Sequence, residues 1–148
     1  MDAIEFADLP KVVGQEVGVS DWLQVTQERV NEFAEATGDH QWIHVDVERA
    51  TREIGGPIAH GYLTLSLIPF LASGMLKVNG VTRGINYGSD KVRFTNMVRV
   101  GKRVRLRQKL IGAEPKSGGW QLRNECTIEI EGEERPACVA ETLSLIFP

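Results

Sequence analysis

The sequence is short of several things at once. It has two cysteines in 148 residues, Cys126 and Cys138. They form no C-x-x-C pair, which excludes a disulfide framework and a four-cysteine zinc site. An excess of one charge is also missing: 17 Lys and Arg face 20 Asp and Glu, a net charge of −3. General nucleic-acid binding runs on excess positive charge and is disfavoured here, although a local basic patch could still meet a polyanionic cofactor. No apolar run reaches the roughly 20 residues that cross a bilayer. The most apolar stretch, Gly61–Met75, is interrupted by Pro69. The first residues carry Asp2, Glu5 and Asp8 and have no apolar core of signal-peptide length. Repeats and low-complexity tracts are absent. These shortages lead to the expectation of a soluble cytoplasmic protein with reduced thiols, with neither nucleic acid nor membrane among its partners.

What is present can fill a core: 42% of residues are hydrophobic and 25% charged. The length suits one domain over residues 1–148, starting near Val12 after a short leader of about residues 1–11. Thr26 reads as a helix N-cap, with Val25 and Val30 at hydrophobic-staple spacing. Val30, Phe33, Ala34 and Thr37 share one helical face, and Gly38 follows as a C-terminal cap. Residues 39–59 read as irregular around a short helical turn near 47–52. A second helix is expected from about Gly61 to Met75. It is apolar nearly all round, hence buried, and Pro69 should bend it.

After residue 80 the period falls to two. Val104, Leu106 and Leu110 alternate with Arg103, Arg105, Arg107 and Lys109, with Gln108 as the exception on the apolar face. Trp120, Leu122, Cys126, Ile128 and Ile130 alternate with polar neighbours. Both runs suit half-exposed antiparallel strands. Two shorter strands are expected over 81–87 and 91–95, and a last one over about 136–147. Helices followed by antiparallel strands give an α+β layout, and a helix apolar on every side calls for a curved sheet around it.

Candidate chemistry gathers in two segments. Asp39 and His44 lie in the first, with His40 and Asp46 beside them. An Asp and a His held together bracket neutral pH and can orient one water between a proton acceptor and a proton donor. The same spacing also suits an Asp that caps a turn and a satisfied, partly buried His. His40 and His44 at i, i+4 have a metal-like spacing, but 42–45 does not look helical and no Glu stands between them. The second segment, Gly56-Pro57-Ile58-Ala59-His60-Gly61, leads into the apolar helix. Gly61 in a first helical turn could offer its N–H to an oxyanion, or serve only as a tight entry. Thr64 and Ser66 could bond back to the helix carbonyls. Asn86 and Tyr87 sit between glycines at a strand end, where they could line a site or make a turn. Arg103, Arg105 and Arg107 read as a solvated strand face.

With these residues in view, the sequence resembles the MaoC-like dehydratases, the (R)-specific enoyl-CoA hydratases of hotdog fold. Asp39, His44 and Asp46 match the family's motif of an Asp five residues before a His, closely followed by an acid. Gly56–Gly61 matches the family's entry to its central helix, and Asn86-Tyr87-Gly88 with Lys91–Phe94 its following strand. The look is nearest to small bacterial 3-hydroxyacyl-thioester dehydratases, including the nodulation protein N group. The resemblance implies a curved sheet around the helix and a homodimer joined edge to edge. It implies hydration of a trans-2-enoyl thioester, on CoA or an acyl carrier, to the (R)-3-hydroxyacyl thioester. Asp39 and His44 would activate the water, Asp39 as base and His44 as proton source for the α-carbon. The Gly61 N–H would hold the thioester oxygen, with Gln41, Ser66, Asn86 and Tyr87 as further substrate contacts. No metal and no cofactor are implied. Gln41-Trp42 departs from the family's Asn-Pro, and Pro69 from a serine. A hotdog thioesterase and a non-catalytic acyl-thioester-binding protein are the alternatives.

Overall fold

The computed structural model describes all residues from Met1 to Pro148. The chain is packed almost from its start. Strand β1 (Ile4–Glu5) pairs in parallel with β4 (Val78–Asn79). A 3-10 segment over Phe6–Val12 then buries Leu9 completely. Trp120 Nε1 donates to the Phe6 carbonyl at 2.8 Å. Residues expected as a leader therefore form part of the core, because Leu9 and Phe6 have apolar partners across the chain. Strands β2 (Glu16–Val19) and β3 (Leu23–Gln24) both pair with a later strand.

Helix α1 (Gln27–Thr37) starts and stops where its caps predict. Thr26 Oγ1 accepts from the Arg29 N–H at 3.1 Å, and Gly38 takes the left-handed conformation at φ 86°. The stretch that follows is more helical than expected. Trp42–Val45 forms a helical turn (α2), and α3 runs Val47–Ile54. The Asp46 side chain caps α3 by accepting from the Arg49 N–H at 3.1 Å.

The apolar segment after Gly61 is two short helices, α4 (Gly61–Ser66) and α5 (Ile68–Leu71), not one to Met75. The break falls at Leu67. A proline at 69 cannot donate and crowds the carbonyl four residues earlier, so the ladder is interrupted ahead of it. Leu63, Thr64, Leu67, Ile68, Leu71 and Met75 face inward, but Tyr62 and Phe70 are 69% and 66% exposed. The segment is covered on one side only within this chain.

The sheet explains the inner side. Its order is β2-β6-β7-β8-β5, with β3 also on β6. Strands β6 (Arg103–Lys116) and β7 (Gly119–Ile130) form a long hairpin. Its tight turn, Ser117-Gly118, has positive φ at both residues (52° and 85°), the geometry that matches strand twist. Val104, Leu106, Leu110, Cys126, Ile128 and Ile130 are buried on one face, and the arginines and glutamates lie on the other. β8 (Cys138–Phe147) adds to β7, and β5 (Arg83–Arg93) closes the order as an edge. The register sets Cys138 opposite Ile128 and Cys126 opposite Ala140, so the thiols are offset and both remain free. Burial raises both thiol pKa values, that of Cys138 to about 11. The two short strands expected over 81–95 are one strand, because bulges between Asn86 and Gly88 and between Asp90 and Arg93 absorb the irregular residues. Lys91 sits at the second bulge with φ 53°. An antiparallel sheet packed on a central helical segment is the α+β hotdog arrangement.

Candidate functional site

Three side chains converge where the loop after α1 meets the start of α4. One ligand-type atom from each of Asp39, His44 and His60 lies within 4.8 Å of the others. Asp39 is placed by the end of α1, His44 by α2, and His60 by the residue that precedes α4.

His44 is the most constrained of the three. It is 6% exposed, and its Nδ1–H donates to the Ile58 carbonyl at 2.6 Å. Its own carbonyl accepts from Gln27 Nε2 at 2.8 Å, which ties α2 to α1. With Nδ1 committed as a donor, Nε2 is the nitrogen left to exchange a proton. Burial holds the imidazole below its ordinary pKa of 6.5. The Ile58 bond and the Asp39 charge act in the opposite direction, and His60 adds to the lowering. At neutral pH the ring is therefore uncharged, with an open Nε2.

Asp39 is exposed, and its Oδ1 accepts from the Gln41 N–H at 3.3 Å. The carboxylate thus braces its own turn and also stands beside His44. Gln41 contributes that backbone donor; its side chain is at the surface ahead of α2.

His60 is the residue that sequence reasoning left without a role. It is 2% exposed, and its ring stacks on His44 with centroids 3.8 Å apart and planes 24° apart. Its Nε2–H donates to the Asp39 carbonyl at 3.0 Å, and Phe33 packs against it at 4.9 Å. The buried Nδ1 has no hydrogen-bond partner. His60 thereby links the two residues expected to act. The only advance signal was a histidine immediately before Gly61.

The stack also bears on metal binding. Lone pairs lie in the ring planes, so nearly parallel stacked rings do not converge on one ion about 2.0–2.1 Å from each nitrogen. His40, the other member of the expected i, i+4 pair, lies outside the cluster and pairs with Glu35 at 3.3 Å. Asp46 is engaged as the α3 cap.

Gly61 opens α4 and lines a cavity of about 350 Å³ with His44, Thr64 and Phe94. The space a β-carbon would need is filled: it would lie 2.8 Å from the Phe94 ring. The glycine is thus required by packing, and its N–H belongs to the first turn, where intrahelical partners are lacking. Thr64 and Ser66 both bond back, to the carbonyls of His60 (3.4 Å) and Tyr62 (2.6 Å).

Ser66, Asn86 and Tyr87 are not part of this cluster. They line a second, larger cavity of about 750 Å³ between α4–α5 and the sheet. Tyr87 Oη accepts from Lys116 Nζ at 2.7 Å. The Arg face is solvated and paired. Arg105 and Arg107 both reach Glu129, Arg103 pairs with Glu131, and Arg105 covers the Trp22 ring.

A family model described as MaoC like domain matches residues 8–125. The chain is 52% identical over 139 residues to 3-hydroxyacyl-thioester dehydratase Z of Mycobacterium tuberculosis, covering 93% of this chain and 92% of that protein. It is 45% identical to nodulation protein N of Rhizobium leguminosarum bv. viciae over 150 residues, 99% of this chain and 93% of the other. Among solved structures it resembles an (R)-hydratase from A. caviae involved in PHA biosynthesis, with a TM-score of 0.74 and 23% identity. That match covers 92% of this chain and 96% of the other. At such identity the likeness speaks for the fold.

Proposed function

Because the chain belongs to the MaoC-like domain family, we propose that it is a hydro-lyase that adds water to trans-2-enoyl thioesters, giving (R)-3-hydroxyacyl thioesters reversibly. The observation that carries this reading is the His44 tautomer: Nδ1–H is held by the Ile58 carbonyl, which leaves Nε2 to exchange a proton, and His44 shares its cluster with Asp39. A resting His44 has no proton on Nε2 to give, so it first takes one from the water. Hydroxide adds to the β-carbon, and the α-carbon receives the proton from Nε2–H. Water thus supplies both the hydroxyl and the proton that are added, and the imidazole returns to its starting state. The Asp39 charge orients the water and stabilises the transient imidazolium, the direction in which it already acts on His44. In this order His44 serves as both base and acid, in place of the expected division with Asp39 as base and His44 as acid. The Gly61 N–H faces the thioester oxygen as charge builds on it.

Two copies pair through β5. That strand is a sheet edge exposed along nearly its whole length, and it presents Ile85 and Tyr87 at the surface. Unpaired strand edges seek a second strand. The exposed Tyr62, Phe70 and Phe94 offer further apolar area. No helix of the chain is long and apolar enough to cross a membrane.

The test is crotonyl-CoA hydration, followed as loss of enoyl absorbance and extended to longer chains and to carrier-linked thioesters. Asp39→Asn should abolish the signal. Release of free thiol without loss of enoyl absorbance through hydration would instead identify a thioesterase. Silence on every chain length and carrier would leave a binding protein.

A further inference from the structure

Over β6 and β7 the concave face of the sheet is apolar except in one place. Gln108 on β6 and Asn124 on β7 point inward where the strand alternation calls for aliphatic residues, and each is 7% exposed. The register extends this polar patch across the sheet. Asn124 stands opposite Thr142 on β8, and Thr142 stands opposite Ser89 on β5. All four residues line the larger cavity. The patch is not internally satisfied: Asn124 Oδ1 is buried with no hydrogen-bond partner, and Gln108 Oε1 meets only the weak Cys126 thiol at 3.7 Å.

An unpaired buried acceptor is destabilising, and leucine at 124 would continue the aliphatic pattern of β7. The opposite wall is mostly apolar: its one hydroxyl, Ser66, is already spent on the Tyr62 carbonyl at 2.6 Å. Leu65, Ile68 and Ala72 line it at i+4, i+7 and i+11 from Gly61, the spacing of one helix face. Leu67, at the break, keeps right-handed helical backbone, so the face is continuous. The cavity therefore begins about 6 Å, one helical turn, beyond Gly61.

We propose that the larger cavity binds an acyl chain carrying a hydroxyl group distal to the thioester, with Asn124 as its hydrogen-bond partner and Gln108 and Thr142 beside it. This rests on the hydration reading, which sets the thioester at Gly61. The apolar wall takes the methylenes, and the polar floor takes the hydroxyl. A hydroxyl both donates and accepts, so it satisfies the amide at either end. A site built around such a group discriminates against the plain chain, because binding the latter leaves the amide unpaired and dry.

The test uses pairs of enoyl-CoA substrates of equal length, with and without a terminal hydroxyl, from short to long. Wild type should favour the hydroxylated member by about tenfold in kcat/KM, the worth of one hydrogen bond, at the lengths that reach the patch. Asn124→Leu should bring the ratio to one or below. Melting temperature should hold or rise in that variant, since it removes an unpaired buried group, so misfolding cannot imitate the result. Preference for the plain chain at every length in wild type overturns the proposal, with the hydration reading intact. Calorimetry with the saturated acyl-CoA pairs separates the two further. A hydroxyl preference in binding with no turnover of any enoyl thioester sinks the hydration reading and leaves the polar subsite standing.

Discussion

The loop region from Gly38 to Gly61 and the β6–β7 hairpin treat polar side chains in opposite ways. In the hairpin, charges are outside: Arg105 and Arg107 converge on Glu129 at the surface while Val104, Leu106, Ile128 and Ile130 are buried. In the loop region, His44 and His60 are inside and Val47 is 47% exposed. Burying polar groups without full pairing is costly, and the unpartnered His60 Nδ1 shows that cost retained. The difference teaches where each property resides. The hairpin carries stability, and the loop region carries a shaped, partly unsatisfied site. Substitutions should therefore separate into those that change rate and those that change folding.

The strongest way to break that division is at the site. Asp39→Asn and His44→Ala should each lower kcat by about 10²–10⁴-fold, with melting temperatures close to wild type in a parallel thermal scan. Unfolding of both variants would mean that the loop region carries stability after all. Leu106→Ala, in the fully buried hairpin face, should destabilise by about 2–5 kcal/mol in urea titration. Activity of its folded fraction should remain near wild type.

The next effect is on pH. The folded-state pKa of His44 is depressed, so below about pH 6.5 the unfolded chain takes up a proton before the folded one does. Stability should fall as pH drops through that value and level off below the folded pKa. The groups facing His44 are Asp39, the stacked His60, and Arg135 across the cavity. Hydration kcat/KM should rise with pH through the His44 pKa, because the reaction starts from the neutral ring. A rate that instead climbs as pH falls from 7 to 6 would assign the opposite starting state. The smallest effect is expected on the outer face. Glu129→Gln should cost no more than about 1 kcal/mol, although Arg105 and then Arg107 hold that carboxyl below its usual range. Urea midpoints measured at low and high salt should converge.

What the sequence disclosed follows the range of the interactions involved. Thr26 and Gly38 act on their immediate neighbours, so α1 was readable to the residue. Asp39 and His44 are five positions apart, and their motif was readable for the same reason. His60 reaches them across the fold, through a stack and a bond to the Asp39 carbonyl, and no local pattern signals either. The regular period-two alternation around Asn124 hides it, whereas Gln108 stands out as an exception on its apolar face. Ser66, Asn86 and Tyr87 belong to the same face of the fold as the expected site but to a different cavity, which only the sheet register decides. The continuity of β5 is hidden because Gly88-Ser89-Asp90 reads as a break between two short strands, while bulges on either side keep the pairing with β8.

The register of β5 has a further consequence, in time. Its intrachain partner is β8, with Arg83 opposite Phe147. During synthesis, Arg93 is complete while Cys138, the first residue of β8, is 45 positions away. At about 10 residues per second, β5 waits several seconds on the ribosome for a strand that does not yet exist. The β6–β7 hairpin, closed by its two-residue turn, precedes β8 in the chain and can zip up within microseconds once both of its strands are clear of the ribosome. The composition of β5 suits the delay: Gly84 and Gly88 interrupt its apolar residues, and Arg83, Asp90, Lys91 and Arg93 charge both ends. A strand that must stand alone before it is paired is thereby kept from finding the wrong neighbour on a crowded polysome.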